Sequence, residues 1–262
     1  MLRLLNIELQ KLRYNRSAKV ISIIYFVLIT FIALIASIEF NFGDFHFRVA
    51  DQGIFNFPYI WHFNTYVAAI LKLFLAIVIV SMMSNEYSYR TLKQNLIDGL
   101  SKKEFVLSKF LTVLLFAVIS TVFIFLVSLI LGLAFSDYNE IGIIFSDMEY
   151  IAAYFIKLVA FFSFCLFLGV LVKRSAFALG FLIVWQVIEW LLYGLMKWQF
   201  FKDTEIADNI SLFFPLNAMA NLIKEPLSRL GAIQSAANQL GENFNKDYGV
   251  SWLNVLIVLV WT

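Results

Sequence analysis

Three charged residues stand inside strongly apolar runs: Lys72, Lys157 and Glu189. An unpaired charge is expensive in a low-dielectric medium, so each needs a partner, a water-filled cavity or a route to the surface. Lys157 lies about seven residues inside the end of its run, and Glu189 about nine inside the matching end of the next, at about 1.5 Å per helical residue. Their depths then differ by only a few ångström, and antiparallel neighbours could pair them. Two readings stay open, a structural ion pair and a solvated substrate path. Lys72 has no acidic residue in its own run, so it faces a cavity or reaches outward.

Other reactive side chains offer less. His46 and His62 are sixteen residues apart and could join Asp44 and Asp51 in an adventitious metal site; an ordinary surface role is the plainer reading. The single cysteine, Cys165, sits among Phe161, Phe162, Phe164 and Phe167 and reads as a small buried apolar residue. It excludes an intrachain disulfide and a cysteine metal cluster. The phosphate-cradling Gly-rich loop, the paired-histidine metalloprotease helix and Gly-x-Ser-x-Gly are all missing. The chain is therefore expected to be no enzyme by itself and to bind no metal and no cofactor.

What positions these residues is a membrane architecture. Hydrophobic residues make up 61% of the 262, and charged residues only 15%, against about 25% in a soluble domain. The mean hydropathy is +0.83. A soluble fold could not build a polar outer face from this supply, whereas lipid accepts the surplus. The net charge of +2 is too small to argue for nucleic acid. Apolar runs long enough to span lie at about 20–40, 61–84, 105–135, 151–172 and 175–198, and a sixth begins near 248. The fold class is all-α, a single polytopic transmembrane domain over 1–262. Fifteen helical residues, 248–262, cover about 22 Å of a core about 30 Å thick, so the sixth run is expected to be cut short at Thr262. A final segment lying in the interface is the alternative. The first run is too long, and lacks the small-residue site, for a cleaved signal peptide.

Basic residues give the orientation. Arg3, Lys11, Arg13, Arg16 and Lys19 precede the first run. Arg90, Lys93, Lys102, Lys103 and Lys109 follow the second, and Lys173 and Arg174 follow the fourth. With six crossings these segments share one side, which the positive-inside rule makes cytoplasmic, amino terminus included. The segment 199–247 weakens the contrast, because it holds Lys202, Lys224, Arg229 and Lys246. Trp61, Tyr66, Trp198 and Trp252 collect near boundaries, as interface belts do, while Trp185 and Trp190 sit deeper.

Outside the spans, residues 1–19 are expected to be a cytoplasmic amphipathic segment. Leu2, Leu5, Leu9 and Leu12 form its apolar stripe, with Arg3, Glu8, Lys11 and Arg13 pointing elsewhere. Residues 85–104 join two spans through a short helix over about Tyr89–Ile97, stopped by Gly99. Ser101 and Glu104 form a capping box at the start of the third span. The segment 199–247 is an extracytoplasmic loop with short helices, one opening near Pro215 and ending before Pro226, another over 227–240. Read from composition, 85–104 is either an ordinary basic loop or a lever between a soluble partner and the membrane.

One pattern narrows the choice. Glu86 soon after the second span, the pair Thr91-Leu92, then Ser101-Lys102-Lys103-Glu104-Phe105 and Lys109 resemble the coupling segment of bacterial ABC-2 type permeases, the transmembrane subunits of ATP-binding-cassette exporters. A glycine usually precedes that threonine; here Arg90 stands in its place. The resemblance implies six spans, an amphipathic amino-terminal helix and short helices near a proline before the last span. It implies contact with a separate ATPase through Glu86, Arg90, Thr91, Leu92, Asp98, Ser101, Lys102, Lys103 and Glu104. It further implies two ATPase subunits holding ATP and Mg, a second permease copy or a paralogue, and the bacterial cytoplasmic (inner) membrane. Two rival classes remain: an ATP-independent immunity, sensory or assembly component, and an ion-coupled secondary transporter using Lys72, Lys157 and Glu189.

Overall fold

A computed structural model describes residues 2–37, 39–42, 45–48, 53–138, 140–202, 204–229 and 248–262. Helix α1 (Leu2–Tyr14) meets α2 (Arg16–Ser37) at 89°. Asn15 makes the corner, its Oδ1 accepting from the Ala18 amide at 3.2 Å, so one otherwise orphaned donor of α2 is satisfied. A two-stranded hairpin follows, β1 (Glu39–Phe42) antiparallel to β2 (Phe45–Arg48), with Glu39 opposite Arg48. This small element, absent from the sequence expectation, is the one sheet among the described residues.

The long helices then run α3 (Tyr59–Ser88), α5 (Lys102–Phe135), α7 (Glu149–Val172) and α8 (Ser175–Leu195), with short α4 (Thr91–Ile97) and α6 (Ile141–Ile144) between them. A π-helical turn, Met196–Phe200, extends α8. Short α9 (Ile206–Ser211), α10 (Pro215–Asn221) and α11 (Trp252–Val260) close the chain. Among the described residues four helices are long and apolar enough to cross a bilayer, or five when the bent α1–α2 pair counts as one span. The expected sixth crossing is not among them, since α11 has nine residues. The helix expected over 227–240 falls mostly outside the described residues; only the 3₁₀ turn Leu227–Arg229 is described there.

Helix α7 occupies the centre. Tyr154, Leu158, Phe162 and Cys165 are fully buried on it, against Trp61, Leu75 and Ile79 of α3 and Val113 and Ala117 of α5. By contrast α2 and α8 turn Ile23, Val27, Phe31, Phe177, Ile183 and Leu191 outward, the faces that lipid accepts. Buried hydroxyls join helices where apolar contact gains little. Tyr154 hydrogen-bonds Tyr25 of α2 at 2.8 Å and Ser120 of α5 at 2.9 Å, and Tyr25 and Ser120 bond each other. Trp61 corrects the belt assignment. It is fully buried, its ring stacks on Phe125 at 5.4 Å and its Nε1 donates to the Ile144 carbonyl at 2.8 Å. Trp198 and Trp252 are exposed, as an interface position requires.

Gly132 lets α5 approach Phe57 closely, because a methyl group there would lie 2.2 Å from Phe57 Cζ. Gly132→Ala is expected to lower the melting temperature in detergent, at an overpacking cost of about 1–3 kcal/mol. Gly142→Ala, where a methyl meets open space, should leave it unchanged.

Candidate functional site

The site begins where α3 leaves the bundle. Its last turn carries Glu86, and the chain then reverses through Tyr89 and Arg90 into α4. Arg90 has φ of 58°, in the left-handed region that favours glycine, which accounts for the glycine usual at this place. Gly99, with φ of 95°, turns the chain back toward α5. The Ser101–Glu104 capping box forms as expected. Ser101 Oγ accepts from the Glu104 amide at 3.2 Å, and the Glu104 carboxylate accepts from the Ser101 amide at 2.9 Å.

Glu86 is the centre of this arrangement and is only 3% exposed. Its Oε1 accepts from Lys109 Nζ of α5 at 2.6 Å and from Lys11 Nζ of α1 at 2.7 Å. Its Oε2 accepts from Thr91 Oγ1 at 2.6 Å and Asn95 Nδ2 at 3.3 Å, both on α4. Lys109, 1% exposed, also donates to Glu8 Oε2 at 2.6 Å, and Lys11 donates to Glu8 Oε1 at 3.2 Å. Two carboxylates and two ammonium groups thus form a closed, formally neutral knot, and one carboxylate ties α1, α3, α4 and α5. Burial works against the Lys11 ammonium, but Glu86 and Glu8 outweigh it and hold its pKa above the ordinary lysine value.

Glu8 and Lys11 join this arrangement although the sequence does not point to them. Both were assigned to the polar, outward face of α1, whereas Glu8 is 2% exposed and faces the knot, while Leu9 faces out. Lys109 was the available signal, because a lysine inside the apolar run 105–135 needs acidic company. Of the other residues expected to contact an ATPase, Leu92 packs against the core, and Arg90, Asp98, Lys102 and Lys103 are exposed beside Tyr89 and Ile97. The segment 89–103 therefore shows a mixed basic and apolar surface to the surroundings while the inner side of α4 is pinned to Glu86.

The charges within the bundle are not paired as expected. The Glu189 carboxylate accepts from the Leu216 amide at 3.1 Å, the Asn217 amide at 2.9 Å and Trp185 Nε1 at 2.8 Å. It caps the start of α10, where Pro215 sits at the first turn, as its fixed φ allows. Lys157 Nζ donates to the Ala220 carbonyl at 3.1 Å, at the opposite end of the same short helix. Each charge meets the pole of α10 that complements it, which removes the need for a mutual ion pair. Lys72 Nζ lies 4.3 Å from the centroid of the Phe161 ring. Lys72 and Lys157 line one cavity of about 880 Å³, bounded by α3, α7, α8 and α10.

His62 is not poised for metal. Its ring stacks on Tyr150 at 4.2 Å, its Nε2 meets the Lys224 carbonyl at 2.9 Å and its Nδ1 meets Arg229 Nη1 at 3.2 Å. Asp44, Asp51 and the side chain of His46 lie outside the described residues. Among the described residues no group of three metal-ligating side chains occurs.

The family whose sequence profile matches residues 4–216 is described as ABC-2 family transporter protein. Comparison with curated proteins and with solved structures gives no match.

Proposed function

The chain belongs to the ABC-2 transporter family, and we propose that it is the permease subunit of an exporter driven by a separate cytoplasmic ATPase. The observation that carries this reading is Glu86, which fixes the inner side of α4 to the second and third spans and to α1. A force applied to α4 would reach both spans without a flexible link. The exposed Tyr89, Lys93, Ile97, Lys102 and Lys103 supply the mixed apolar and basic surface a soluble partner could seize. ATP and Mg would be held by that partner, in two copies, beneath two permeases of this kind or one and a paralogue. The amino terminus and α4 would face the cytoplasm of a bacterium, with the protein in its cytoplasmic membrane and the α10 end outside. The ion-coupled alternative is less well supported, because Glu189 is already engaged by three N–H donors.

The test is capture of an ATPase encoded beside this gene by the purified, detergent-solubilised chain. Ile97, 83% exposed, should matter to that capture. Ile97→Asp is expected to weaken it at least about tenfold, which is about 1.4 kcal/mol of interface energy. Ile141→Asp, 76% exposed at the far end, should leave it intact. Failure of any adjacent ATPase to bind, or equal effects of the two substitutions, would sink the coupling role of α4.

A further inference from the structure

We infer that the cavity between α3, α7, α8 and α10 binds an anionic amphiphile, an alkyl chain headed by a carboxylate or phosphate. The inference names a passenger class for the proposed export path and rests on that reading only for the direction of movement.

The cavity, about 880 Å³, lies toward the upper end of the roughly 300–1,000 Å³ that organic-ligand sites occupy. Ile70, Leu73, Ile183, Val187 and Trp190 give it a hydrocarbon wall. All five are exposed, so the wall is open and continuous with the outward face of α8. An alkyl chain could enter sideways without crossing a polar barrier.

The head of the ligand is argued from Lys157 and Lys72. Lys157 is 4% exposed, reaches the cavity and has a backbone carbonyl as its hydrogen-bond acceptor. Lys72 rests on Phe161, one helical turn beyond Lys157 on α7. Among the described residues neither lysine is paired with a carboxylate. Glu189, the acid expected to neutralise Lys157, is committed to α10. Glu225 reaches the cavity rim beside Lys224, but its carboxylate accepts from the amide and hydroxyl of Ser228. Among the described residues the amines of Lys72 and Lys157 in this apolar chamber have no carboxylate partner, and a buried charge is stabilised when one arrives. An anion with a hydrocarbon tail satisfies both halves of the chamber at once.

Trp190 in the wall makes binding visible. The chain in phosphatidylcholine nanodiscs is titrated with dibromostearate, its uncharged methyl ester, and dibrominated phosphatidic acid, following quenching of the fluorescence that Trp190→Phe removes. The acid is expected to quench with at least about tenfold tighter apparent affinity than the ester, a gap of about 1.4 kcal/mol. Lys72→Gln and Lys157→Gln should each narrow that gap, and Lys202→Gln, at the surface, should not. Should Lys157→Gln fail to fold, Lys72→Gln alone carries the comparison. Quenching by phosphatidic acid as well as stearate would mark a bilayer lipid as the source; quenching by stearate alone would mark a free acid. Equal quenching by acid and ester, a gap that survives the lysine substitutions, or no Trp190 quenching because a second copy covers the chamber, overturns the inference. No ATPase is needed for this measurement, so its failure leaves the exporter reading standing, and a failed ATPase capture leaves the binding site standing.

Discussion

Glu86→Ala is expected to be the most damaging single substitution in the chain. It removes the acceptor shared by Lys11 and Lys109 and the anchor of Thr91 and Asn95 in one step. The knot changes from neutral to a net positive charge, with two ammonium groups left to share Glu8. Lys109, 1% exposed, cannot escape to solvent. Breaking a buried pair by removing one partner costs about 3–5 kcal/mol, because the charge left behind stays buried. In a chain of this size, about 2–4 °C of melting temperature goes with each kcal/mol, so a fall of roughly 10 °C in detergent is expected. Glu86→Ala with Lys109→Met should recover much of that loss, since the Lys11–Glu8 pair survives and the core gains an apolar side chain of similar length. If α4 couples an ATPase to the spans, the double variant should still fail to link ATP hydrolysis to transport, because α4 has lost its inner anchor. A melting temperature unchanged in Glu86→Ala would mean that the knot does not hold these four helices together.

The knot also shows what a linear reading can and cannot reach. Glu86, Thr91, Ser101, Glu104 and Lys109 fall within one short stretch, so their spacing exposes them, and the capping box follows from local hydrogen-bonding rules alone. Glu8 lies far away in sequence, on a helix whose leucines point to a simple interfacial role. Yet Glu8 of α1 is buried against Lys109 while Leu9 is turned out, so the inward face of α1 is not the one its leucines alone would choose. Helical spans were legible for the opposite reason. Long apolar runs need no partner to be recognised, whereas the hairpin at 39–48 is too short and too ordinary in composition to announce itself. Trp61 sits at a span boundary in sequence yet is fully buried, because the turn α6 folds over it and accepts its N–H. Boundary position alone could not reveal that cover.

Replacement of Glu189 is expected to have the second largest effect and to separate two explanations of the same buried charges. Equal depth made a Lys157–Glu189 pair reasonable from the sequence. Depth along a span leaves out the backbone of a loop segment that returns into the bundle. Helix α10 brings two amide donors to Glu189 and a carbonyl to Lys157. Glu189→Ala would leave the Leu216 and Asn217 amides and Trp185 Nε1 without their acceptor. Each buried unsatisfied group costs about 1–3 kcal/mol, so several kcal/mol in total, partly relieved by movement of α10, is the expected loss. Glu189→Gln should fall between, since its one carbonyl oxygen can serve part of the set while its amide nitrogen opposes the remaining donors. Combining Glu189→Gln with Lys157→Gln discriminates further. If the two were an ion pair, the second substitution would cost little once the first was made. With each charge serving its own end of α10, the two losses should add, with a coupling energy below about 1 kcal/mol. A larger coupling, read from the melting temperatures of the four proteins, would restore the direct pair and remove the capping role assigned to Glu189.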